Sequence, residues 1–83
     1  MVKIQAVTRS SSGIQPHKTE SICTFQTVSG VGGEVLLHIA TYGSAERAMP
    51  GKASQQIQFT ESGAQDLLGA VFAAFPALRH ATR

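Results

Sequence analysis

Ser54–Pro76, SQQIQFTESGAQDLLGAVFAAFP, is the stretch that decides the fold. Its first third alternates, with Gln55, Ile57 and Phe59 on one side and Ser54, Gln56, Gln58 and Thr60 on the other. That period of two belongs to a strand with one covered face. After Thr60 the period changes. Ala64, Leu67, Leu68, Val71, Phe72 and Phe75 recur at helical spacing and form a single apolar stripe. Two N-caps are open: Ser62 with Gln65 three residues on, or Thr60 with Glu61 in the positively polarised first turn. Pro76 stops the helix. A strand running straight into an amphipathic helix is therefore the anchor of the fold.

Working back from this anchor, Gly43–Lys52 (GSAERAMPGK) reads as a loop, with the turn pair Pro50-Gly51. Glu34–Tyr42 (EVLLHIATY) is a strand with Val35, Leu37 and Ile39 on one face and Leu36, His38, Ala40 and Tyr42 on the other. Apolar residues on both faces imply a central strand, or one whose outer face a partner covers. Gly30-Val-Gly-Gly33 supplies a hairpin turn. It precedes a strand and lacks a following Lys-Ser/Thr, which excludes a phosphate-binding loop. Ser21–Ser29 (SICTFQTVS) is a β-branched and aromatic strand. Arg9–Glu20, rich in Ser, Gly and Pro, is a long connecting loop, and Val2–Thr8 alternates as a first strand.

The expected fold is a single α+β domain over residues 1–83, in the order β-β-β-β-α. A four-stranded antiparallel β-sheet, wound as a meander, is followed by one C-terminal amphipathic helix packed on one face. Residues 9–20 form a long loop and 78–83 a flexible tail. The expected core is Ile4, Ala6, Val35, Leu37, Ile39, Ile57, Phe59, Leu67, Leu68, Val71, Phe72 and Phe75, with Phe25 or Val28.

Composition adds limits. A chain of 83 residues buries only roughly 60–65% of the surface its unfolded form exposes. Large apolar side chains are few, with four Phe, one Tyr and no Trp. Stability is thus modest, and self-association into a homodimer would cover what the monomer leaves bare. Charged residues are 14% and the net charge is +2, a weak signal for a polyanion partner. The single Cys23 excludes an internal disulfide and reads as a small buried hydrophobe. That fits a reducing, cytoplasmic setting. Met1–Gln5 holds no apolar leader, and no apolar run approaches the ~18 residues of a membrane span, so neither secretion nor insertion is expected.

Catalytic groups are scarce. Asp66 sits in the first turns of the helix, and Glu20, Glu34, Glu46 and Glu61 form no close pair. His17, His38 and His80 lack a metal-ligand spacing. Ser44 and Ser54 lack a nucleophile elbow. The chain is expected to have no catalytic residue, no metal site and no cofactor, and His38 to be a partly buried structural histidine. Binding groups are better represented. Lys3, Arg9, Arg47 and Lys52 lie on strands or their loops, Tyr42 offers a stacking surface, and Gln56, Gln58 and Thr60 offer hydrogen bonds, the equipment of a single-strand nucleic-acid platform. An ordinary solvated face carries the same charges.

The segments LLHIATYGS, Pro50-Gly51-Lys52, SQQIQF and TESGAQDLLGAVFAAF together resemble the C-terminal half of the transcriptional-coactivator PC4 family. Its bacterial members are small single-stranded DNA-binding proteins. The resemblance implies a homodimer formed through strands and helix, binding a DNA strand across the sheet. It makes Lys52 a phosphate contact and Tyr42 a stacking residue. The first expected function is therefore non-enzymatic binding of single-stranded DNA or RNA by Lys3, Arg9, Tyr42, Arg47 and Lys52. The alternative is an oligomeric adaptor that docks on a protein through the outer face of Glu34–Tyr42.

Overall fold

The strand-to-helix anchor forms as the two periodicities require. In a computed structural model, which describes residues 2–42 and 53–81, Gln55–Phe59 is strand β4 and Glu61–Ala74 is helix α1. Before them come β1 (Lys3–Ile4), β2 (Cys23–Ser29) and β3 (Val35–Thr41), and a short helix α2 (Leu78–Ala81) follows. Of the two candidate caps the molecule uses Thr60, whose hydroxyl oxygen accepts from the Gly63 backbone N–H at 3.1 Å. Glu61 provides the negative charge of the first turn.

The β2–β3 hairpin also forms where the glycines place it. Gly32 and Gly33 take φ values of 74° and 84°, the left-handed conformation that a side chain would resist. The turn is closed by Gly30 N–H donating to Glu34 C=O at 2.6 Å. From there β2 and β3 pair antiparallel from Ser29↔Val35 to Cys23↔Thr41, and β3 pairs antiparallel with β4 from Leu37↔Phe59 to Thr41↔Gln55.

The wholly antiparallel meander does not hold. The sheet is mixed, in the order β1-β4-β3-β2, and β1 runs parallel to β4 with Lys3↔Gln58 and Ile4↔Phe59 in register. The cause lies in residues 5–22, which separate β1 from β2. A parallel arrangement needs a connection of about a dozen residues or more, and this one is longer. It carries the chain from one edge of the sheet to the other. The first strand is also only two residues long, far shorter than the alternation of Val2–Thr8 suggests. Beyond Ile4 the chain leaves the sheet: Ser62 Oγ donates to Gln5 C=O at 3.0 Å, and Val7 N–H donates to Asp66 Oδ2 at 3.1 Å. Residues 5–8 thus lie along the start of α1.

The enclosed core is small. Among the described residues the buried apolar side chains are Leu36, Ala40 and Phe59, and none is sealed off completely. Register places Phe59 on one face with Ile4, Leu37, Ile39 and Ile57, and Leu36 and Ala40 on the other with His38. The expected core on the Phe59 face is correct in direction, since Ile4, Leu37, Ile39, Ile57, Leu67, Val71 and Phe72 are half-buried. Ala6, Val35, Phe25, Leu68 and Phe75 are exposed instead. Leu36 and Ala40, expected on an exposed face, are enclosed by sheet neighbours. Ala40 is flanked by the larger Thr24 and Gln56, and the Leu36 Cδ1 lies against Gly30 of the folded-back turn. Cys23, expected to be buried, is exposed on β2 because β2 is an edge strand.

Two glycines of α1 behave oppositely. A Cβ on Gly63 would collide with the Ile4 carbonyl, whereas one on Gly69 meets nothing within 4 Å. Gly63→Ala should therefore cost about 1–3 kcal/mol through overpacking. Gly69→Ala should add roughly 0.5–1 kcal/mol through helix propensity. Urea denaturation of the two variants measures both, and equal stabilities would contradict the packing of α1 on β1.

Candidate interaction surfaces

The ladder sorts side chains into two faces of different character. On the first, Lys3, Gln58, His38 and Gln26 stand in one row across all four strands, with Thr24, Ala40 and Gln56 in the next row on the same face. Gln58 Nε2 donates to His38 Nδ1 at 3.0 Å, a half-buried hydrogen bond that places the His38 ring proton on Nε2. His38 is thus half-buried and held by a strand neighbour. Tyr42 is half-buried and its hydroxyl lies 3.3 Å from Thr24 Oγ1. Lys3 Nζ is 3.5 Å from Glu34 Oε1, with both side chains partly exposed. Such a pair contributes little stability, yet it offsets the charge of Lys3, the one lysine on this face among the described residues.

The opposite face is apolar and only partly covered. Phe25, Thr27, Val35, Leu37, Ile39, Ile57 and Phe59 alternate onto it. The start of α1 approaches this side, where Ser62 and Ala64 share an open hollow of about 740 Å³ with Thr27, Val35, Leu37 and Phe59. Farther along, Phe25 is 77% exposed and Val35 64%, while the helix leaves Phe75 61% and Leu68 51% exposed. The packed side of α1, marked by Gly63, Ala64, Leu67 and Val71, is rotated away from the middle of the apolar stripe. Leu68 and Phe75 are therefore left out.

Of the expected nucleic-acid contacts, Lys3 and Tyr42 fall on the His38 face. Arg9 is set instead beside α1, lining a hollow of about 500 Å³ with Asp66, Gly69 and Ala73. Arg47 and Lys52 lie outside the described residues. Among the described residues no three His, Cys, Asp or Glu side chains group as metal ligands, and no helix is long and apolar enough to cross a membrane. Arg79 lies over the Phe72 ring at 5.3 Å, tying α2 back to α1. The exposed Phe25 and Val35 escaped sequence reasoning because alternation identifies which residues share a face but not how far one helix reaches across it.

No protein-family model, no curated protein and no solved structure matches the chain.

Asp66 holds the Val7 amide from fifty-nine residues away. Asp66→Ala should speed hydrogen exchange at Val7 about fivefold, equivalent to ~1 kcal/mol, while leaving β3 amides unchanged. An unaltered Val7 rate would contradict that tether.

Proposed function

We propose that the chain is a small non-enzymatic protein-interaction module whose fold is completed by a partner chain, acting in the reducing setting of the cytoplasm. The apolar area left open on the Phe59 face carries this reading. Phe25 and Val35 on the sheet and Leu68 and Phe75 of the helix are each more than half exposed, while among the described residues three apolar side chains are buried. Exposed apolar patches of this kind mark contact surfaces. The radius of gyration, 14.6 Å, also exceeds the ~12 Å of a compact chain of this length. Part of the excess belongs to residues 8–22, which are exposed throughout. A Phe at 77% exposure contributes little to the isolated fold, so Phe25→Lys should alter stability at low protein concentration by less than ~0.5 kcal/mol. It should weaken association by at least about tenfold, near 1.4 kcal/mol. Light scattering over a concentration series checks this. A wild-type chain that stays monomeric and binds no protein, or a variant that associates equally well, would contradict the reading.

A second reading rests on the His38 face. Its row of Lys3, Gln58, His38 and Gln26, with Tyr42 beyond Ala40, offers a flat hydrogen-bonding surface with one aromatic ring. Single-stranded DNA or RNA is the ligand it suits, and Lys3, Arg9, Tyr42, Arg47 and Lys52 are the contacts proposed from sequence. It ranks second because Lys3 is paired with Glu34. Anisotropy of a labelled strand of ~20 nucleotides should then show binding that prefers the single strand, weakens with salt and drops on Lys3→Glu. Absence of binding at low salt would remove this reading.

A further inference from the structure

The hydrogen bonds to β1 fix which way every backbone group in the sheet points. Gln58 N–H donates to Val2 C=O and Thr60 N–H to Ile4 C=O, both at 3.0 Å. Residues 58 and 60 therefore face β1, and the alternating residues Ile57 and Phe59 face β3. Their partners Ile39 and Leu37 then point toward β4, which leaves Leu36, His38 and Ala40 to bond β2 through Val28, Gln26 and Thr24. It follows that Cys23, Phe25, Thr27 and Ser29 turn their N–H and C=O groups outward, away from the sheet. All four residues are exposed, and among the described residues no hydrogen bond reaches those groups.

We propose that this edge pairs with the same edge of a second copy, antiparallel about a two-fold axis through Gln26. The proposal rests on the assembly reading above and names its partner. In this register Phe25 lies opposite Thr27 of the second copy and Cys23 opposite Ser29. All four outward residues then meet outward residues, and every outward N–H and C=O finds an acceptor or donor. Centring the axis on Phe25 or on Thr27 would leave one outward residue of each chain unpaired, so the Gln26 axis is the most complete self-pairing. β2, CTFQTVS, also lacks the Lys, Pro or bulge by which edge strands commonly block such contact. Its neutrality removes repulsion between copies. The two Phe25 rings become diagonal neighbours on the Phe59 face, covering each other's exposed area. On the opposite face the row Lys3–Gln58–His38–Gln26 continues into its symmetry mate across eight strands. A ladder of seven residues is small beside the ~800 Å² per partner of a standard interface, so association in the micromolar range is expected.

The test is disulfide trapping in full-length chains carrying Cys23→Ser. At the axis Gln26 faces its own copy in a non-hydrogen-bonded pair, with Cα atoms about 4.5 Å apart, within disulfide reach. Cys23→Ser/Gln26→Cys treated with copper–phenanthroline should become a covalent dimer, two thiols losing two electrons to the oxidant. Cys23→Ser/Val28→Cys, whose thiols sit opposite Thr24 rather than each other, should not. Thr27→Pro removes one outward N–H and no β2–β3 bond. It should fold like wild type and associate at least tenfold more weakly by light scattering. A wild-type dimer in which Gln26→Cys fails to crosslink, or crosslinks no better than Val28→Cys, overturns the edge register and leaves the assembly reading standing. A wild-type dimer matched by Thr27→Pro does the same. Should Thr27→Pro not fold, the crosslinking pair decides. A wild-type chain that is monomeric at every concentration and binds no other protein overturns both.

Discussion

Thr60 joins three parts of the molecule in a few atoms. Its backbone N–H donates to Ile4 C=O at 3.0 Å, which ends the β1–β4 ladder. Its hydroxyl approaches the same carbonyl at 3.3 Å and accepts from Gly63 N–H at 3.1 Å, which starts α1. Next to it, Ser62 Oγ donates to Gln5 C=O. The helix therefore begins where the parallel strand ends, and the close approach is possible because Gly63 has no side chain to meet Ile4. The position of α1 over β4 and β3 follows from this junction, and so does the distance it keeps from β2.

That distance shapes the rest. A helix pinned near one edge covers the neighbouring strands and leaves the far edge bare, so Phe25 on β2 remains in water, as does Val35 where β3 runs past the end of β4, while Leu37, Ile39 and Ile57 are half-covered. The opposite face needs no second layer to protect its apolar members. Ala40 is shielded by Thr24 and Gln56 in the ladder, and Leu36 by the Gly30 turn. The result is one polar face closed at the level of the sheet and one apolar face left open. The open face and the unpaired β2 edge meet at the same strand, which is why a single contact can serve both.

Local chemistry was legible in the sequence and long-range pairing was not. The switch of period at Thr60, Thr60 as one of two candidate caps, the glycine turn at 30–33 and the β2–β3 hairpin it closes all follow from residues close together in the chain, where side-chain periodicity and backbone conformation leave little freedom. The parallel placement of β1 does not. Two residues of strand carry too little pattern to set a register, and the Ser-, Gly- and Pro-rich segment after them permits return to either edge. Burial was misjudged for the same reason. Val35 and Leu37 share a face and are both aliphatic, but Leu37 has Phe59 of β4 beside it whereas Val35 lies past the end of that pairing, which leaves Val35 exposed and Leu37 half-buried. For the candidate surfaces, Lys3 was correctly placed on the sheet, but its partner Glu34 was invisible until the strands were ordered. Cys23 looked buried until β2 proved to be the edge.

The most direct test of a fold completed by association is the dependence of its thermal midpoint on protein concentration, followed by far-UV circular dichroism over a hundredfold dilution. If a partner copy covers the open side, mass action raises the midpoint steadily with concentration. A midpoint that stays constant over the whole range would show that the chain is stable alone, and that the exposed Phe25 side needs no cover.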